Sequence, residues 1–110
     1  MGQDSLGEFE QMVLLAVLRL EANAYGAAIQ REIEARASRR RTISAIYVTL
    51  VRLQDKGMVE STLADPTPVR GGKAKRFFTV TPAGQDALER SRRAMDQMWE
   101  GLESSARRVE

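Results

Sequence analysis

Seventeen lysines and arginines face fifteen aspartates and glutamates in this 110-residue chain, and their placement decides which chemistry is open to it. Residues 36–76 hold ten cations (Arg36, Arg39, Arg40, Arg41, Arg52, Lys56, Arg70, Lys73, Lys75, Arg76) against three acids, a net +7, whereas residues 1–35 carry −4 and residues 77–110 carry −1. A formal charge of only +2 therefore hides a basic middle third suited to a polyanion. Other chemistries are missing at the level of residue type. With no Cys and no His there is no thiolate nucleophile, no Ser–His pair, no disulfide frame and none of the usual zinc or haem ligands. The carboxylates and lysines that remain show no apolar-pocket pattern that would drive their pKa values apart. No catalytic residue, metal or cofactor is expected, and an enzyme is not the reading of choice.

The elements that must position these cations are helical first. Residues 6–21 repeat apolar side chains at Phe9, Met12, Val13, Ala16, Val17 and Leu20, the spacing of one helix face, and Leu14, Leu15 and Leu18 widen the stripe. A second helix is expected over residues 25–36, with Ala28, Ile29, Ile33 and Ala37 on one side. After the polar break at residues 38–41, Thr42 supplies an N-cap hydroxyl for a third helix running to Lys56 with Ile43, Ile46, Leu50 and Leu53 inward, and Gly57 ends it. The period then changes to two. Residues 58–63 and 75–80 read as strands joined by a turn-rich connection containing Pro66, Pro68 and Gly71-Gly72, which makes a hairpin with a basic tip. Thr81-Pro82 restarts a helix, and Leu88, Ser91, Met95, Met98 and Leu102 form a seam of spacing 3-4-3-4 too thin to be buried by one chain. That helix is expected to pair with a second copy. The longest apolar run is far short of the roughly 20 residues a membrane helix needs, and the acidic residues ahead of it do not suit a signal peptide, so a cytoplasmic protein is expected.

Helix, turn, helix and basic hairpin together suggest how duplex DNA would be held. The major groove accepts one α-helix, and basic flanks neutralise phosphate. On the third helix the outward residues are expected to be Ser44, Ala45, Val48, Thr49, Arg52 and Lys56. Thr49 would bond a base or phosphate, Arg52 a guanine or phosphate, and Ala45 or Val48 would touch a thymine methyl. Tyr47, at the edge of the apolar face, is expected to pack its ring and reach phosphate with its hydroxyl, or simply to belong to the core. Arg41 and the N-cap Thr42 directly precede the reader.

Four stretches carry a resemblance: residues 6–18 (LGEFEQMVLLAVL), Tyr25-Gly26, residues 45–57 (AIYVTLVRLQDKG) and residues 71–84 (GGKAKRFFTVTPAG). In combination they resemble the PadR family of bacterial transcriptional regulators over about residues 6–90. The resemblance implies a mainly α fold with a small β-hairpin: a winged helix-turn-helix over residues 1–81 and a C-terminal dimerisation helix over residues 82–110, of the short, single-helix subgroup. It implies a homodimer joined through the first and last helices, acting as a repressor on a double-stranded DNA operator near its own gene and released by a small aromatic effector. Carried onto this chain, Ser44, Tyr47, Thr49 and Arg52 fall in the recognition helix, and Gly71, Gly72, Lys73, Lys75 and Arg76 in the wing. The wing's aromatic pair is Phe77-Phe78, without hydroxyls.

The dimer interface is expected at Phe9, Met12, Leu88, Met95, Met98, Trp99 and Leu102. Trp99 and Met95 are also candidates to line an effector site, against the plainer reading that Trp99 packs in the seam. Gly71-Gly72 is first a turn requirement, and residues 39–41 could be a solvated loop. A protein-interaction module meeting an acidic partner is the alternative to a DNA-binding regulator.

Overall fold

The computed structural model describes residues 5–64 and 75–102. Three helices, α1 (Glu8–Leu20), α2 (Gly26–Ala37) and α3 (Ile43–Asp55), precede a two-stranded antiparallel sheet of β1 (Val59–Leu63) and β2 (Arg76–Val80), and α4 (Pro82–Trp99) follows. The three expected helices and two strands that precede α4 form with ends displaced by a residue or two. The last helix, expected over residues 82–110, ends at Trp99. Residues 103–110 of that expectation, like residues 65–74 of the connection between the strands, lie outside the described residues. A short 3-10 turn, Glu21–Asn23, leads to α2.

One apolar cluster joins the elements. Val13, Leu14 and Val17 of α1, Ile29 and Ile33 of α2, and Ile46, Leu50 and Leu53 of α3 enclose it, with Met58, Val59 and Phe78 of the hairpin region and Ala87 of α4 closing its floor. Each of the larger side chains contributes about 1.5–3 kcal/mol when fully withdrawn from water, so the core fixes how α3 sits against the rest.

The helix ends obey their local chemistry. Thr42 Oγ1 accepts from the Ala45 N–H at 3.1 Å, and Thr81 Oγ1 accepts from the Gly84 N–H at 3.1 Å with Pro82 in the first turn. At the end of α3, Gly57 takes φ +76°, while the Met58 N–H donates to the Leu53 carbonyl at 2.9 Å and turns the chain into β1. The strands pair from Val59↔Val80 to Leu63↔Arg76. The linker before α2 joins them, because the Phe78 N–H donates to the Ala24 carbonyl at 2.9 Å and Tyr25 bridges Phe77. Gly84 lies against this junction, where a Cβ would strike the Met58 carbonyl and stand 2.8 Å from Val80 Cγ1.

From Arg92 to Leu102 every residue of the C-terminal segment is exposed. α4 carries ion pairs along its own surface, Asp86–Arg90, Glu89–Arg93 and Arg92–Asp96, each contributing about 0.3–0.5 kcal/mol to the helix. Among the described residues no helix is long and apolar enough to cross a membrane.

Candidate nucleic-acid interface

The buried sector of α3 contains Ile46, Thr49, Leu50 and Leu53. Thr49, expected to face outward, is only 5% exposed and belongs to the core side, so it is withdrawn as a base-reading residue. Ile43, expected inside, is exposed, and Ala45 is half-buried. The cause is rotation: α3 turns the 46/49/50/53 sector inward, which leaves Ser44, Val48, Val51 and Asp55 as the outward ridge, with Tyr47 on one shoulder and Arg52 on the other. Val51 did not figure among the expected outward residues. Its spacing of three from Val48 was the available signal.

Lys56, also expected to point outward, bends back to α1. Its Nζ donates to both Glu10 carboxylate oxygens at 3.0 and 3.2 Å, and Glu10 Oε1 accepts from the Gly7 N–H at 2.9 Å. Burial of Glu10 pushes its pKa up. The Gly7 amide, the Lys56 hydrogen bond and charge, and the Arg52 charge together outweigh that, leaving it below the usual carboxylate value. Lys56 is thus used up in fastening the end of α3 to the start of α1.

Ion pairing sorts the remaining cations. Arg36 pairs with Glu32, Arg39 with Glu8 and Arg40 with Glu34. Among the described residues no carboxylate stands within 4.0 Å of Arg41, Arg52, Lys75 or Arg76. Arg41 lies over the Phe9 ring at 4.6 Å, Lys75 over the Tyr25 ring at 4.1 Å, and Arg76 donates to Ser61 Oγ at 2.9 Å. These four keep a charge that a phosphate could neutralise. Gly71, Gly72 and Lys73 lie outside the described residues.

α3 and the base of the hairpin share a cleft of about 580 Å³, with Tyr47, Val51 and Gln54 on one wall and Leu63, Lys75 and Arg76 on the other. Tyr47, 41% exposed, tilts against Phe78 at 6.5 Å and lays its phenol ring on the first turn of α2, where a Cβ at Gly26 would collide with it. Tyr25 anchors the opposite corner. Its ring meets Phe77 edge-on at 5.7 Å, and its hydroxyl accepts from Arg31 at 3.2 Å. That hydrogen bond, then the Lys75 charge, hold the phenol below the ordinary tyrosine pKa. No sequence pattern foretold this Arg31–Tyr25–Lys75 cluster, because Lys75, just before β2, reaches the N-cap of α2 only in the folded chain.

A second surface runs along α1 and α4. Leu15 and Leu18 of α1 and Leu88, Met95 and Trp99 of α4 line an open groove of about 1040 Å³, and Met98 and Leu102 are exposed beyond it. Of the residues expected at a dimer interface, Met95, Met98, Trp99 and Leu102 are exposed. Phe9, Met12 and Leu88 are half-buried against the chain's own core, and Arg41 covers Phe9. α1 therefore offers Leu15 and Leu18 to solvent rather than Phe9 and Met12.

A helical trio closed by a hairpin, with α3 bordering the strands, defines a winged helix-turn-helix protein. The model of the transcriptional regulator PadR-like family matches residues 14–90, more than half of the chain, and the chain belongs to that family. Among solved structures, a PadR family transcription regulator from hypervirulent Clostridium difficile is similar at a TM-score of 0.70 and 18% identity, over 89% of this chain and 98% of that one. A PadR-like transcriptional regulator from Bacillus cereus is similar at a TM-score of 0.64 and 20% identity, over 92% and 89%. The complex structure of hsRosR-S4 matches at a TM-score of 0.66 and 24% identity, over 94% and 83%. No curated protein matches the chain.

Proposed function

We propose that this transcriptional regulator is a bacterial, cytoplasmic repressor that binds a specific DNA operator near its own gene as a homodimer. One observation carries the DNA reading: α3, through Tyr47, Val51 and Gln54, and the base of the hairpin border a single cleft whose hairpin wall carries Lys75 and Arg76, two cations without carboxylate partners. Arg52, likewise unpaired, stands on the other shoulder of the same helix. A helix presented between phosphate-neutralising flanks is what the major groove accepts. Ser44, Tyr47 and Val48 face the groove, Ala45, the capping Thr42 and, at backbone phosphate, Arg52 lie beside them, and the wing residues Gly71, Gly72, Lys73, Lys75 and Arg76 run along the backbone or minor groove.

Pairing of two copies is supported by the apolar stripe of Leu15, Leu18, Met95, Met98, Trp99 and Leu102, too large a set of exposed apolar side chains to leave unpartnered. Within that interface Trp99 and Met95 offer a flat ring and a polarisable thioether to a small aromatic effector. Repression and release by that effector rest on family membership.

Gel shift against genomic fragments flanking the gene tests the proposal. A fragment is retarded, and its affinity falls about 10³-fold or more between about 50 and 200 mM salt. Absence of any retarded fragment at low salt, with capture by an acidic protein instead, would replace the DNA reading with the protein-interaction one.

A further inference from the structure

We propose that α3 selects its DNA site chiefly by the C5-methyl groups of thymine, through Val48 and Val51, and not by an arginine reading guanine; this rests on the DNA-binding reading above. The middle of the outward ridge holds no long polar side chain. Its residues are Ser44, Val48 and Val51, and both valines are 56% exposed. Asp55 ends the ridge with a carboxylate that phosphate repels, so the N-terminal two-thirds of α3 is the part that can enter a groove.

The two cations of this helix region stand aside. Lys56 is tied to Glu10 at 3.0 Å. Arg52 sits on the shoulder opposite Tyr47, off the centre of the ridge that carries Val48 and Val51, a position from which a long cation meets backbone phosphate more readily than the groove floor.

Two exposed valines between unpaired cations pose a specific question of complementarity. Lys75 and Arg76 across the cleft from Val51, with Arg52 on the far shoulder of the helix, disfavour an apolar protein surface and favour a polyanion. In the major groove of duplex DNA the thymine methyl is the prominent apolar group. Valine suits it on conformational grounds as well, because a β-branched side chain on a helix keeps essentially one χ1 rotamer. The methyls of Val48 and Val51 are therefore in place before docking and lose little freedom on contact. They stand one helical turn apart, which spreads their contacts over neighbouring base pairs.

Uracil pairs as thymine does and lacks only the methyl. The bound fragment is resynthesised with single deoxyuracil replacements through each half-site, and affinities are measured for the wild type and for Val48→Ala, Val51→Ala and Val51→Thr. At two or more half-site positions uracil weakens wild-type binding about four-fold, the worth of one buried methyl group. At one of these positions the penalty vanishes in the variant that lacks the facing valine methyls, and Val51→Thr, which keeps the shape, retains part of it. Helix content by circular dichroism shows that each variant folds. Specific binding that ignores uracil at every thymine overturns this proposal alone. Failure to bind any duplex overturns the DNA reading and this proposal with it.

Discussion

α3 and α4 are both amphipathic helices capped by threonine, and they differ in whether their apolar side is finished inside the chain. α3 buries Ile46, Leu50 and Leu53 completely and exposes β-branched residues amid unpaired cations. α4 buries only Gly84 and Ala87 and exposes Met95, Met98 and Trp99 on a surface whose charges already pair with one another. The lesson is that exposure of an apolar side chain does not name its partner; the charges around it do. Small methyls in a cationic frame fit a nucleic acid, and large, soft side chains in a self-neutralised frame fit a second copy.

The sharpest way to break this contrast is to truncate one residue on each side. Leu50→Ala lowers the unfolding free energy by about 2–5 kcal/mol at any protein concentration. The loss from Met98→Ala shrinks on dilution, because it acts through association. Urea titrations at two protein concentrations separate them, and a concentration-independent loss at Met98 would place that residue in the monomer's own fold.

Next in size is Trp99→Glu, which weakens self-association about 30-fold or more, the scale of an interface anchor. Sedimentation equilibrium reads it directly, and an unchanged association constant would remove α4 as the joining element. The α3 side is sharpened by Glu10, which with Lys56 locks the end of the reader to α1. Its pKa lies below 4.5 in the folded chain, so just under that value the unfolded chain binds more protons. The pair's contribution is therefore complete above about pH 4.5 and is lost as pH falls through the folded value. Lys56→Ala costs about 1–2 kcal/mol at neutral pH, less than a fully buried pair because Lys56 keeps some solvent. Denaturation of Glu10→Gln across the acid range shows a flatter profile than wild type, and equal slopes would refute the assignment. The smallest effect is that of Lys75→Ala, which weakens all duplexes alike and lowers the slope of log affinity against log salt by about 1; Trp99→Phe leaves that slope unchanged.

Much of the fold was legible because local chemistry and global packing agree. Thr42, Gly57 and Thr81-Pro82 mark their boundaries by hydrogen-bond needs that neighbours cannot override. The site was less legible. A helical period says which residues share a face, and it does not say which sector the rest of the molecule will cover. α3 is rotated so that Thr49 is covered and Ile43 is not, a choice made by the shared core that buries Ile46, Leu50 and Leu53 and fastened at its end by the Glu10–Lys56 pair, 46 residues apart in sequence. The same holds for α1, where Leu15 and Leu18 belong to the broad apolar stripe on paper yet face away from the core. Cation counting overestimated the free charge: Arg36 and Arg40 pair locally with Glu32 and Glu34 of α2, a pairing that spacing alone could have suggested, while Arg39 and Lys56 find Glu8 and Glu10 of α1 only once the helices are assembled.

Gly26 has a consequence for the geometry of reading. The Tyr47 ring rests on bare backbone at the start of α2, its hydroxyl end nearest the glycine, so a single aromatic ring is the spacer between α2 and α3 there. A side chain at position 26 would unseat that partly exposed phenol and swing it outward, reshaping the wall of the cleft it lines. The contour of that wall is set, in effect, by a methyl group that is not there.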